Sequence, residues 1–285
     1  MSEKVTIFEM GPRDGLQNEK SLIDTKDKIL LVDMLSDCGF QKIEVTSFVS
    51  PKWVPQMADS ADVMAGINRK LNISYAVLTP NLHGLEGAVD AAANEVAIFA
   101  SASEGFSQRN INCSIAESLE RFSPVMAKAL EIKLPVRGYV SCVTDCPYEG
   151  PTDPAKVAKV AKTLTDIGCY EISLGDTIGH ATPESLSLML DHVLDVVPVG
   201  QLAGHFHDTK GMALSNIETC LDRGIRVFDS SVGGLGGCPY APGAKGNVAT
   251  EQVANLMAQR GFETGLDESR LQQAVQFAKT LRSVA

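Results

Sequence analysis

The chain has 285 residues, 44% hydrophobic and 21% charged, which is enough apolar material for one large core. Its net charge of −10 leaves no broad basic footprint and argues against a nucleic-acid partner. Seven cysteines, an odd number with no C-x-x-C spacing, speak against a disulfide framework and for a reduced compartment.

Short β-rich runs alternate with longer helical patterns along the chain. Residues 5–9 are expected as the first strand. A helix over 24–38 follows, with Leu31, Met34, Leu35 and Cys38 at i, i+3, i+4, i+7, and Gly39 closes it as a C′ glycine. Strands at 42–46, 73–78 and 95–100 alternate with helices at 59–68, 82–92 and 115–131. Ser114 and Glu117 stand in capping-box positions at the start of the last of these. The fifth strand is 136–141. Asp153-Pro154 opens the fifth helix by N-cap and N1 preference, and Gly168 closes it. Strands at 170–174, 202–206 and 224–229 complete the series. Their helices begin at Thr182-Pro183, near 213 and near 248. A further helix, about 267–281, exceeds the eight-unit count. It would cover a barrel face or pack against a second subunit.

Eight near-equal β/α units predict a TIM (β/α)8 barrel, an α/β fold, with that additional C-terminal helix. No linker or composition break divides the chain, so residues 1–285 form one catalytic domain. No apolar run of about 18 residues predicts a membrane span, and neither a signal nor a transit pattern precedes the first strand. The cytoplasm is the simplest location. In a barrel of this kind the active site gathers at the C-terminal strand ends and their loops.

Several polar residues fall there. Arg13 and Asp14 end the first strand, as an oxyanion-neutralising cation and a hard oxygen ligand, or as plain turn chemistry. Glu44 is an acid inside a β-branched run. It is an acid or base, a partner orienting Arg13, or one half of a simple ion pair. Asp176 ends the sixth strand as a second mouth carboxylate or a loop cap. His205 and His207 project from one face of the seventh strand, as a metal-ligand pair or as hydrogen-bonded structural histidines. Residues 233–247 form a glycine-dense loop carrying Cys238, a proton donor or an idle thiol, and ending at Asn247, an amide ligand or an N-cap. Asp14, His205, His207 and Asn247 together make a mixed N/O set. Such a set suits octahedral Mg²⁺ or Mn²⁺ better than a closed structural Zn²⁺.

The stretches 11–19, 44–57, 110–114, 137–142, 168–177 and 231–240 resemble 3-hydroxy-3-methylglutaryl-CoA lyases, and the cysteine-bearing glycine loop is the most specific of them. The resemblance implies a metal-dependent TIM-barrel lyase that cleaves HMG-CoA to acetyl-CoA and acetoacetate, in leucine degradation and ketone-body metabolism. It implies that Asp14, His205, His207 and Asn247 bind the divalent cation. By the same resemblance Arg13 polarises the thioester carbonyl, Cys238 and His205 move protons, and Glu44 and Asp176 line the site. A homodimer is implied as well. Arg13, Gln17 and Lys20 on the first loop are the expected substrate contacts, with the CoA phosphates near Lys20 or Lys52. Lys245 stands where such lyases carry Ser or Thr. The chain also stops near Ala285 without the longer tail of animal enzymes, which fits a bacterial-type enzyme. The chemistry agrees independently. A retro-Claisen cleavage needs a base for a tertiary alcohol, a sink for the enolate, and a closing loop that protonates it before water interferes. The rival reading is an acetyl-CoA-dependent acyltransferase of the isopropylmalate or homocitrate synthase type. Those enzymes usually carry extra C-terminal domains.

Overall fold

The computed structural model describes residues 3–236 and 246–282. Eight parallel strands close on themselves in chain order: β1 (Thr6–Glu9), β2 (Lys42–Ser47), β3 (Ser74–Leu78), β4 (Glu95–Ser101), β5 (Val136–Ser141), β6 (Glu171–Asp176), β7 (Leu202–Phe206) and β8 (Val227–Ser230). The last pairs with the first through Thr6–Val227 to Glu9–Ser230, so no edge is left open. The expected (β/α)8 barrel is present.

The surrounding helices are α1 (Thr25–Ser36), α2 (Ser60–Gly66), α3 (Leu82–Asp90), α4 (Glu104–Ile111), α5 (Ile115–Glu131), α6 (Pro154–Asp166), α7 (Pro183–Leu194), α8 (Ala213–Asp222), α9 (Thr250–Gln259) and α10 (Glu268–Leu281). Their ends follow the local chemistry. Ser114 and Glu117 form the capping box of α5, Asp153 caps α6, and Thr182 caps α7 with Ser185. None of the described helices is long and apolar enough to cross a membrane.

Four features differ from the sequence reading. Helix α4 was not expected: its EGFSQRNI sequence buries only Phe106 and Ser107, so it shows no apolar stripe. A short hairpin, Asp145–Cys146 against Gly150–Pro151, follows β5. Strand β8 starts at Val227, because Gly224 at φ +89° is the turn that closes α8. Helix α9 starts at Thr250, because Asn247 and Ala249 bridge to His207 and Ser231 instead.

Strand alternation divides the core into two layers. The larger lies between sheet and helices and includes Ile43, Val96, Val140, Ile172, Leu174, Phe206 and Phe228. Helix α10 joins this layer, packing Leu271, Ala274, Val275 and Ala278 beside α1. Its apolar face covers the barrel. Inside the barrel is a smaller group, Phe8, Met10, Ala76, Leu78, Ala97 and Tyr139. Beside it lie groups that an apolar barrel would lack: Glu44, Arg137, Ser173 and Asp229, all buried.

Candidate active site

The site is built from three strand ends. After β1 the chain makes a π-helical turn over Gly11–Gly15, which lifts Arg13 and Asp14 over the barrel mouth. The turn fits only because its glycines lack side chains. A Cβ at Gly11 would stand 2.7 Å from Glu9 Oε1, and one at Gly15 would stand 2.7 Å from Leu235 Cβ and Ser231 Oγ. The buried Glu9 stitches this turn to the loop after β8. Its Oε1 accepts from Gly11 N (2.7 Å) and Val232 N (2.8 Å), and its Oε2 accepts from the Thr250 hydroxyl (2.7 Å).

Arg13 is 6% exposed. Its Nε donates to Glu44 Oε2 at 2.5 Å and its Nη1 to Asp14 Oδ1 at 2.7 Å. Burial works against the charge, but Glu44 and Asp14 restore it, and Arg13 stays a cation. Burial also pushes the Glu44 carboxyl up, against the pull of Arg13 beside it. Tyr139 donates its hydroxyl to Glu44 Oε1 at 3.1 Å. Among the described residues Arg13 Nη2 makes no hydrogen bond, and the side chain lines the cavity above the barrel.

Asp14, His205 and His207 present donor atoms that all lie within 4.8 Å of one another. Asp14 is half-buried, and desolvation works against its charge, yet Arg13, His205 and His207 hold it well below the usual carboxylate range. The histidines are pushed apart. Burial and the neighbouring His205 take His207 down to about 4, which keeps its imidazole neutral. For His205, burial is outweighed by a hydrogen bond and charge from Asp229 and by Asp14, and its value rises. The His205 Nδ1 is 3.1 Å from Asp229 Oδ2, and its Nε2 is 4.0 Å from Asp14 Oδ2. An imidazole held at one nitrogen by a carboxylate, with the other aimed at an anion, is the arrangement that orients a metal-binding histidine. Asn247 joins through backbone pairing with His207. Its Nδ2 donates to Asp14 Oδ2 at 2.6 Å and to Leu235 O at 3.3 Å. It is not an N-cap, since α9 begins three residues later. One carboxylate, two imidazoles and an adjacent amide fit a divalent cation with positions left for oxygen ligands.

The structure therefore brings Arg13, Asp14, Glu44, His205, His207 and Asn247 to one place, and Gln17 lines the same cavity. It places the others elsewhere. Asp176 faces the helix layer, where its carboxylate accepts from His180 N and Ala181 N, both at 3.0 Å. Burial takes it up to about 6. Ser173, Gly175 and Thr177, on the other parity of that segment, face the cavity. Lys20 and Lys52 are exposed and do not line the cavity. Cys238 and Lys245 lie outside the described residues.

Beneath the mouth is a second network that the sequence reading did not single out. Arg137 is fully buried. Its Nη1 and Nη2 reach the two oxygens of Asp229 at 3.0 and 2.8 Å, and its Nε reaches Glu171 at 2.7 Å. Ser173 Oγ donates to Asp229 Oδ2 at 2.7 Å. Asp229 is thus shared between Arg137 and His205, and Arg137 keeps its value low, at about 2, despite burial. Charged residues inside strands, the signal that marked Glu44, mark Arg137 and Asp229 equally well.

The cavity over these groups has a volume of about 1050 Å³ and runs from His205 and His207 across Leu78, Phe99 and Tyr139 to α4 and α5.

Comparison with known proteins agrees with this geometry. The HMGL-like family model matches residues 4–278. A mitochondrial hydroxymethylglutaryl-CoA lyase of Gallus gallus is 59% identical over 94% of this chain and 90% of its own length. A 3-hydroxy-3-isohexenylglutaryl-CoA/hydroxy-methylglutaryl-CoA lyase of Pseudomonas aeruginosa is 57% identical over 97% and 92%. The crystal structure of the HMG-CoA lyase from Brucella melitensis superposes with a TM-score of 0.98 at 59% identity, covering 99% of each chain. With the family model spanning nearly the whole chain and relatives above half identity covering it, this chain belongs to the HMGL-like family.

Proposed function

We propose that the protein is a hydroxymethylglutaryl-CoA lyase, a carbon–carbon lyase that cleaves 3-hydroxy-3-methylglutaryl-CoA to acetyl-CoA and acetoacetate. The observation that carries this reading is the junction of Arg13 with Asp14, His205, His207 and Asn247 at one mouth. The C3 hydroxyl gives up its proton and its oxygen becomes the ketone of acetoacetate. The C2–C3 bond breaks, and its electron pair forms the enolate of the acetyl thioester, which then takes a proton at C2. Arg13, cationic and open to the cavity through Nη2, stabilises the enolate oxygen. His205, oriented by Asp229 at Nδ1, presents Nε2 either to the metal or, where Asp14, His207 and Asn247 hold the metal without it, to the hydroxyl as its proton carrier. Glu44 sets the plane of the Arg13 guanidinium and Tyr139 braces Glu44. Cys238, on the glycine loop, is our candidate donor to C2. Asp14, His205, His207 and Asn247 would hold the divalent metal, which supplies Lewis acidity and a template for chelating oxygens. The hard oxygen and imidazole donors support Mg²⁺ or Mn²⁺.

The test is release of acetoacetate from HMG-CoA by the metal-loaded protein. No acetoacetate, together with condensation of acetyl-CoA with a 2-oxo acid, would overturn the lyase reading. Cys238→Ala is expected to lose most turnover while keeping the metal, because the thiol is not in the ligand set. A homodimer is suggested by the sequence resemblance, and sedimentation of the purified protein tests it. A cytoplasmic location is supported by the buried, unpaired cysteines at 38, 113, 142, 146, 169 and 220, and fractionation of the source cell tests it.

A further inference from the structure

The two histidines of the mouth are not held alike. His205 has the Asp229 carboxylate at its Nδ1. The His207 side chain lines the cavity while its Nδ1 is buried, so Nε2 is the nitrogen turned to the site. That buried Nδ1 makes no hydrogen bond of full geometry, and the hydrogen-bonding group that acts on the ring is the backbone of Thr177. Thr177 belongs to a tight turn over residues 176–181, where the chain leaves β6. Asp176 folds the turn: its carboxylate accepts from His180 N and Ala181 N at 3.0 Å, and its carbonyl from Gly179 N at 3.2 Å. The Thr177 hydroxyl accepts from Cys142 N, just past β5, at 2.8 Å. The Ala181 carbonyl accepts from Asn216 Nδ2 on α8 at 2.9 Å. At Gly179 φ is +64°, and a Cβ there would stand 2.7 Å from Thr209 Oγ1 and 2.8 Å from the His207 carbonyl oxygen. The turn is thus tied to its neighbours on two sides and pressed against His207, whose backbone also bridges to Asn247. These ties converge beside an imidazole of the candidate metal set.

We infer that Thr177 is a positioning residue for His207: its carbonyl takes the Nδ1 proton, and the tied turn holds that carbonyl in place, so that Nε2 stays unprotonated and aimed at Asp14. A backbone carbonyl is one of the usual partners behind a metal-ligating imidazole. The inference rests on the reading of Asp14, His205, His207 and Asn247 as the metal set. It gives Asp176 a purpose away from the cavity, as the residue that folds the turn. It also accounts for the threonine at 177, whose hydroxyl reaches Cys142, and for the glycine at 179, which lets the turn touch His207.

Two measurements without turnover test it. Titration with Mn²⁺, with the free ion read by its EPR signal, gives the affinity of the site. Nitrogen NMR of the metal-free protein with isotopically labelled histidine gives the tautomer of His207, assigned by the signals lost in His207→Asn. The wild type is expected to carry the His207 proton on Nδ1 and to bind Mn²⁺ more tightly than His207→Asn does. Thr177→Val keeps the side-chain shape and loses the hydroxyl that accepts from Cys142 N. In that variant Mn²⁺ affinity is expected to fall about tenfold, the lower end of the cost of losing a partner behind a ligand, and the His207 resonances to divide between tautomers. Thr177→Ser, which keeps the hydroxyl, restores both. Gly179→Ala reaches the same turn from its other end, because its methyl group has to displace the turn from His207, and it weakens Mn²⁺ binding in the same way. This second variant decides the matter if Thr177→Val does not fold. A wild-type His207 protonated at Nε2 overturns the inference, and so do Mn²⁺ affinity and His207 resonances left unaltered by both variants. If the wild type binds Mn²⁺ no better than His207→Asn, the metal reading fails, while the tautomers of the wild type and of the two variants still decide the role of Thr177.

Discussion

Two arginines are buried in this barrel, and they do opposite things. Arg137 sits in the interior with its Nε on Glu171 and its two Nη atoms on Asp229 and Tyr139, so each guanidinium nitrogen has a partner. Arg13 sits one layer higher with Glu44 and Asp14, and one nitrogen remains turned to the cavity. The first network is closed, and its charges are spent on each other. The second is left incomplete at the point where the substrate arrives. A buried cation does chemistry only where its hydrogen-bonding fork is unfinished. The completed one serves to hold its neighbours still, here Asp229 and through it His205.

The largest effect should separate the two networks. Arg137→Met leaves Asp229 and Glu171 buried without their cation, and we expect a loss of about 3–5 kcal/mol of stability. Urea unfolding followed by circular dichroism measures it. A loss below about 1 kcal/mol would mean the closed network is not structural and the contrast fails. Arg13→Gln should do the reverse. Glu44 keeps the Tyr139 hydroxyl, and burial already pushes its carboxyl up, so it can take a proton once the guanidinium is gone. The fold survives, and kcat falls about 10²–10³-fold, the scale of losing one oxyanion donor. A variant that unfolds with kcat per folded molecule intact would show that Arg13 too is a scaffold.

Most of the fold was legible in the sequence because its signals are local. Seven of the eight barrel strands lie close to the expected residues, since each is a short apolar run bounded by an N-cap, a glycine or a proline. Helix α4 was invisible for the complementary reason, having almost no buried face to write a period with. The site was legible wherever a residue stood at a strand end in a suggestive pair, as Arg13-Asp14 and His205-Phe206-His207 do. Asn247 needed the structure, because only tertiary pairing with His207 distinguishes it from a helix cap. Asp176 shows the opposite limit. It stands at the right strand end, but on the parity that faces the helices, and the boundary residue of a strand does not announce its parity. The Arg137–Asp229 pair spans 92 residues, beyond any local pattern.

Asp229 belongs to both networks, so its substitution asks how strongly they are joined. Asp229→Asn keeps the shape, but it weakens the charge that meets Arg137 and that holds His205 at Nδ1. We expect divalent-metal affinity to fall about 10–100-fold, the usual cost of losing the partner behind a ligating histidine. Competition against a chelating dye reads this without turnover. Unaltered affinity would show that His205 is oriented by packing alone, and that the closed network does not reach the open one.

The smallest effect concerns Glu9, which ties the Arg13 turn to the loop after β8 and touches neither cation. Burial takes its carboxyl up to about 7 from an ordinary 4.5, although Thr250, Val232 and Gly11 all donate to it. A group whose folded value is raised contributes stability fully at low pH, below 4.5, and that contribution fades as pH rises through about 7. Glu9→Gln cannot titrate. Its amide oxygen can still accept from Gly11 N and Val232 N, and its NH₂ can donate to the Thr250 hydroxyl, which is 2.8 Å from Ser230 Oγ. At pH 5 the wild type and Glu9→Gln should therefore unfold at similar temperatures. At pH 8.5 the variant should be the more stable of the two, because the wild type then holds a buried anion. Thermal unfolding of both proteins across this range gives the sign. A difference that stays level with pH, or that favours the wild type at the alkaline end, would mean that three donors keep Glu9 ionised throughout, making it an anionic anchor of the mouth and a third charged cluster beside the two arginines.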